Sequence, residues 1–281
     1  IIIIISLYYM KTFPLYIPAG SNPNDIEDEL LIKAGVTNKA LIDINGKKII
    51  EYVLEAADNS KKIDKIFVVG ITQSEIEYVC GKEIHFVESI GRRMDTFRNL
   101  ISYMEGIYQK ELPRHMIVLS ADLPLITGEI IDDDIINLEN KFGNNFEKVD
   151  LYYPLVEREK VLKKYPHANK RFRNFEEGSY ATGDFAIFSP DVLRRKKTME
   201  VFEKIMENRK TMVRLLLKFD LISPIKYLIG KLSIRKKIIP FFREMVYLEM
   251  EMLISEHPEI CLDLDYKEDL EIMQELVRNK N

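Results

Sequence analysis

The sequence predicts an α/β fold: a mostly parallel central sheet with helices on both faces. Three observations predict it. Short apolar runs alternate with segments of helical period through the first half of the chain. Turn glycines punctuate them, with Gly20 after the first run and Gly46 before the first long helix. No internal repeat or low-complexity linker interrupts the series, and 46% hydrophobic content over 281 residues supports a sizeable core.

The elements follow in order. Residues 13–19 form an apolar run that reads as a strand. Residues 48–57 place Ile49, Ile50, Val53 and Leu54 on one helix face. Strands are expected over 65–70, 84–87 and 116–120, with helices over 94–108 and 129–141. After Asp150 the order changes. Strands over 151–156 and 185–188 flank a polar, basic stretch, 157–178. Residues 191–244 read as a helical insert, then come strands over 246–253 and 260–264 and a closing helix over 267–278. The insert carries 15 Lys and Arg against 6 Asp and Glu, or +9, leaving −13 for the rest of a chain whose net charge is −4.

That net charge gives no overall attraction for nucleic acid. Cys80 and Cys261 lie far apart in apolar stretches and read as buried thiols of a reducing compartment, not as a bridge or metal site. The four histidines show no ligand-like spacing. The opening Ile-rich run is too short to span a bilayer and lacks a basic flank and a cleavage site. Met10 therefore reads as the natural start, with residues 1–9 an upstream extension and 10–281 a single domain. With no stretch of transmembrane length, a cytoplasmic protein is expected.

Two stretches carry the chemistry. The first strand breaks into Pro18-Ala19-Gly20-Ser21, and the polar loop that follows closes on Asn38-Lys39-Ala40-Leu41. The second is Ala121-Asp122-Leu123-Pro124, where an apolar run ends on a lone acid. Ligands of open α/β sheets bind outside the carboxyl ends of the strands. A small-residue turn there admits phosphates to backbone amides, a lysine neutralises them and an aspartate can hold magnesium. Neither Gly-x-Gly-x-x-Gly after a strand nor a P-loop is present. No Ser-His-Asp or Cys-His arrangement offers a covalent nucleophile.

On these residues the chain resembles the molybdenum-cofactor guanylyltransferase-like nucleotidyltransferases, within the nucleotide-diphospho-sugar transferase fold, from about Lys11 onward. The resemblance implies that Ala19, Gly20, Ser21 and Lys39 hold the phosphates of an NTP, and that Asp122 with Asp263 binds Mg²⁺. Asp263 lies in Asp263-Leu264-Asp265, ahead of Glu268-Asp269-Leu270. Strand alternation would put Asp265 on the same face, and Asp263 is preferred as the ligand. The first loop has no arginine, so Lys33 is the candidate substitute, as a point charge. The stretch from Gly91-Arg92-Arg93 to Asn99 occupies the place where the family reads the base, which makes Asn99 a nucleotide-binding candidate. Thr182, Gly183 and Asp184 match the acceptor-side segment, and Lys170-Arg171-Phe172-Arg173 could meet an anionic acceptor or simply face water.

The expected activity is Mg²⁺-dependent transfer of a nucleoside monophosphate from an NTP to a phosphorylated small-molecule acceptor, with pyrophosphate released. Two other readings stand beside it. A nucleotide-sugar glycosyltransferase could use Asp263-Leu264-Asp265 as a metal motif, and the missing arginine would suit a non-catalytic nucleotide-binding regulator. In the insert, Leu215, Leu216, Phe219 and Leu228 are expected to bury against the sheet. A membrane surface is the minor alternative for these apolar groups.

Overall fold

The computed structural model describes residues 11–20, 29–208 and 210–280; the Met10 start and Ser21 lie outside them. The strands are β1 (Phe13–Pro18), β2 (Asp43–Ile44), β3 (Lys47–Lys48), β4 (Ile63–Val69), β5 (Glu83–Val87), β6 (Met116–Leu119), β7 (Leu151–Glu157), β8 (Arg173–Phe175), β9 (Gly178–Thr182), β10 (Phe185–Phe188) and β11 (Met250–Ser255). The helices are α1 (Glu29–Ala34), α2 (Ile49–Asn59), α3 (Arg93–Ile107), α4 (Gly128–Phe142), α5 (Arg158–Lys164), α6 (Lys196–Glu207), α7 (Lys210–Phe219), α8 (Ser223–Leu228), α9 (Ile239–Phe241) and α10 (Asp269–Lys280).

The main sheet runs β5-β4-β1-β6-β10-β7-β9-β8, and β11 also pairs with β7. β1, β4, β5 and β6 are mutually parallel, β10 runs antiparallel between β6 and β7, and β11 pairs in parallel with β7. Helices on both faces of a mostly parallel sheet are what the sequence predicts. The strand alternation sorts side chains between two cores. Phe13, Leu15, Ile17, Ile117 and Leu119 point to the first, which α2, α4 and α10 cover. Phe67, Val69, Met116 and Phe188 point to the second, against α3 and the helices after residue 191.

The basic helical region therefore covers part of one sheet face. Asp150, 1% exposed, anchors it. Its carboxylate takes two bonds from Arg195 (2.6 and 2.7 Å), one from Arg114 (3.1 Å) and one from the Glu249 amide (3.1 Å). Burial alone would raise the Asp150 pKa, but these donors hold it below the usual carboxylate range. Leu215, Leu216 and Phe219 pack partly buried on the second core, whereas Leu228 is 81% exposed, against expectation. α8 meets the β8 edge of the sheet through Tyr227, which leaves Leu228 facing solvent.

Two further expectations change. Residues 260–264 form no strand; Pro258–Cys261 is a 3-10 turn followed by irregular chain. The strand expected over 246–253 begins only at Met250, because π-helical turns run to Val246. Both cysteines are free, Cys261 buried and Cys80 half-buried. Among the described residues no helix is long and apolar enough to cross a membrane.

At the carboxyl edge, β1 and β4 meet through two glycines. Gly70 has φ +106°, and a Cβ there would lie 2.4 Å from the Gly20 Cα and 2.5 Å from its nitrogen. Gly70→Ala should thus cost about 3 kcal/mol, from positive-φ strain and backbone displacement together. Urea unfolding measures this, and an unchanged midpoint would mean that the turn yields freely.

Candidate active site

The site forms where several chain segments meet at one edge of the sheet. β1 delivers Ala19, whose amide donates to the Val69 carbonyl at 2.8 Å, and exposed Gly20. The first loop returns through Asn38, which is 7% exposed. Its Nδ2 donates to the Ala19 carbonyl at 2.7 Å, and its Oδ1 caps the turn Lys39–Leu41 by accepting from the Ala40 amide at 2.9 Å. Asn38 thereby fixes where Lys39 starts. It was legible only as an N-cap residue type ahead of the lysine.

β6 leads through Ser120 to Asp122, and the Ser120 hydroxyl donates to the Asp122 carboxylate. Because β10 runs antiparallel to β6, the residue just before it, Asp184, arrives at the same edge. The Asp184 carbonyl accepts from the Ser120 amide at 3.0 Å, and its own amide donates to Ile260 at 2.7 Å. Gly183 is squeezed there: a Cβ would stand 3.0 Å from Ile260 Cδ1 and 3.1 Å from Pro154 Cγ. Thr182 closes β9 against Leu155 of β7.

The chain after β11 brings the last acids. The Leu264 amide donates to the Asp122 carbonyl at 3.2 Å, which seats Asp263 and Asp265 on either side of it. One carboxylate oxygen each from Asp122, Asp263 and Asp265 falls within 4.8 Å of the other two. Lys39 Nζ reaches Asp265 at 2.9 Å and Asp122 at 3.4 Å, and Lys170 bonds Asp263.

Four carboxylates and two ammonium groups leave the cluster negative, and the titration of its members reflects this. Burial, then the charges of Asp263 and Asp122, pushes Asp184 up to about 8. Burial and the neighbouring Asp265 raise Asp263 to about 6, with Lys170 opposing. Burial likewise works against a charged Asp265, but its hydrogen bond with Asp263 and the Lys39 ammonium outweigh it and hold this acid low. Burial also disfavours the Lys39 ammonium, yet Asp122 and Asp265 more than compensate and lift its pKa. Three converging hard oxygen donors, carrying more negative charge than Lys39 and Lys170 neutralise, fit a small divalent cation such as Mg²⁺.

The structure thus brings together Lys39, Asp122, Asp184 and Asp263, and adds Lys170 and Asp265. The preference for Asp263 rests on the family motif; the strand alternation that would put Asp265 on the same face is absent here, yet both acids reach Asp122. Lys33 goes elsewhere. It donates to Glu271 at 2.9 Å and to the Lys267 carbonyl at 3.4 Å, tying α1 to α10. Asn99 donates to the Glu88 carbonyl at 3.1 Å and so supports the loop after β5, whose Ser89 lies against Gly20. Lys170 was visible only as the first member of a basic run, and Gly70 only as a glycine closing an apolar run.

The sheet order places an acidic and lysine cluster on its carboxyl edge beside a glycine turn, where open α/β sheets bind their ligands. The chain belongs to the cytidylyltransferase family, whose model matches residues 34–254. A probable molybdenum cofactor guanylyltransferase from Thermococcus gammatolerans is 30% identical over 95 residues, 34% of this chain and 45% of that relative, so the match spans just under half of its length. A hypothetical transferase from Thermus thermophilus superposes with a TM-score of 0.70 at 19% identity, covering 92% of this chain and 99% of that one. A CMP:2-keto-3-deoxy-manno-octonic acid synthetase complexed with CTP gives 0.52 at 12% identity, over 96% and 100% of the two chains. These two likenesses show a shared fold.

Proposed function

We propose that the protein transfers a cytidylyl group from CTP to a phosphorylated small-molecule acceptor. The observation that carries this reading is the convergence of Asp122, Asp263 and Asp265 around Lys39, beside the Ala19-Gly20 turn. The family match favours CTP as the donor. An oxygen of the acceptor phosphate attacks the α-phosphorus, the bond from that phosphorus to the bridging oxygen breaks, and pyrophosphate leaves with the electron pair. No covalent nucleophile is needed, because alignment and charge neutralisation at a crowded anionic centre are enough.

Lys39 offers its ammonium to the triphosphate once nucleotide draws it from Asp122 and Asp265. The exposed Gly20 leaves the turn open for phosphates to approach the backbone. Asp122, Asp263 and Asp265 would hold Mg²⁺, which supplies charge neutralisation on the phosphate oxygens. Thr182, Gly183 and Asp184 border the acceptor side, and Lys170 adds a positive charge there.

Transfer of a guanylyl group is the second reading, favoured by the 95-residue likeness to the guanylyltransferase. Pyrophosphate release with each of the four NTPs, Mg²⁺ and a panel of sugar and polyol phosphates separates the two. Release that requires CTP, acceptor and metal together is expected. Release with GTP alone among the nucleotides would move the reading to guanylyl transfer, and no release with any nucleotide and acceptor would sink both.

A further inference from the structure

The helical region after residue 191 leaves an apolar surface that neither core covers. α7 turns Met212, Leu215, Leu216 and Phe219 toward the second core, so its opposite side carries Val213 and Leu217 outward. The turn and α8 then add Leu221, Ile222, Ile225, Leu228 and Ile229, each between 57% and 81% exposed. Five large aliphatic side chains exposed within nine residues are far more than scattered surface apolar groups.

The surrounding charge says what covers them. From residue 210 to 237 the chain holds eight Lys and Arg and one acid, Asp220, which Lys237 already pairs at 2.7 Å. Lys210, Arg214 and Lys218 repeat every fourth residue on α7, and all three are exposed. A second copy of this chain would bring the same basic surface against itself across a two-fold axis, so like charges oppose that pairing. A lipid surface with anionic headgroups over acyl chains complements both features at once.

We propose that α7, α8 and the turn between them dock on an anionic lipid bilayer. The surface is joined to the acceptor edge of the sheet. Tyr227 of α8 accepts from Arg173 Nη1 at 3.1 Å and packs its ring 6.4 Å from that of Phe175, both residues of β8. β8 pairs with β9, which runs directly into Gly183 and Asp184. Docking would therefore hold that edge near the membrane. The inference stands on the surface alone and does not depend on the proposed reaction.

Vesicle flotation of the full chain tests it. Binding is expected to vesicles of phosphatidylcholine with phosphatidylglycerol and not to phosphatidylcholine alone, and it should weaken as salt rises. The double variant Leu221→Ser, Leu228→Ser alters only exposed positions, so its urea midpoint should be unchanged. Its partition onto the anionic vesicles should fall about a hundred-fold. Three results would overturn the proposal: no flotation with either vesicle, equal flotation of the double variant, or a soluble dimer in sedimentation that the double variant dissolves while vesicles bind neither protein.

Discussion

Asp122→Asn is expected to lower pyrophosphate release about a thousand-fold, which is about 4 kcal/mol of transition-state stabilisation. Asp122 is central: its carboxylate accepts from Ser120 and faces Lys39, and its backbone carbonyl seats the segment that carries Asp263 and Asp265. An amide keeps the shape and removes one negative charge. Since the cluster holds more carboxylates than ammonium groups, the same change should leave urea stability intact or raise it. Activity and stability then move apart, which a merely structural aspartate would not produce. Asp263→Asn should approach the same loss. Asp265→Asn should do less, because its side chain is 46% exposed where that of Asp263 is 14%. A silent Asp122→Asn in the pyrophosphate assay would remove these acids from the mechanism.

Lys39→Ala should slow turnover about a hundred-fold, near 3 kcal/mol of lost charge-assisted contact with phosphate. Its effect on the folded protein should be opposite in sign to that of Asp122→Asn. Removing the ammonium leaves Asp122 and Asp265 facing each other uncompensated, so the urea midpoint should fall. Unchanged pyrophosphate release by a folded Lys39→Ala protein would assign the lysine to the cluster alone.

Much of this was legible in the residues. The apolar runs within β1, β4, β6, β7 and β10 were readable because a strand between two helical layers buries both its faces. The first turn, Lys39 and Asp122 were readable because each sits where a strand gives way to loop. Asp184 reads in the sequence as an acceptor-side residue, and the structure sets it beside Asp122 and Asp263, since the antiparallel β10 begins at the edge where β6 ends. Lys33 misled because a cation in a short helix goes to the nearest acid the fold supplies, here Glu271. The expected burial of Leu228 failed for a related reason: hydrophobicity marks a side chain that gains from leaving water, but not what will cover it.

The sequence by itself determined the α/β class, the order of the strands in the first half of the chain and the types of residue available at their ends. Only the tertiary structure decided which of those residues meet. Asp263 and Asp265 reach Asp122 through irregular chain after Pro258–Cys261, held by the Leu264 amide. Gly70 and Gly20 touch because β1 and β4 lie side by side. A periodic element places its side chains by a repeat that can be counted, whereas a loop has no repeat. Its residues are placed by the strands that carry its two ends and by hydrogen bonds to distant backbone.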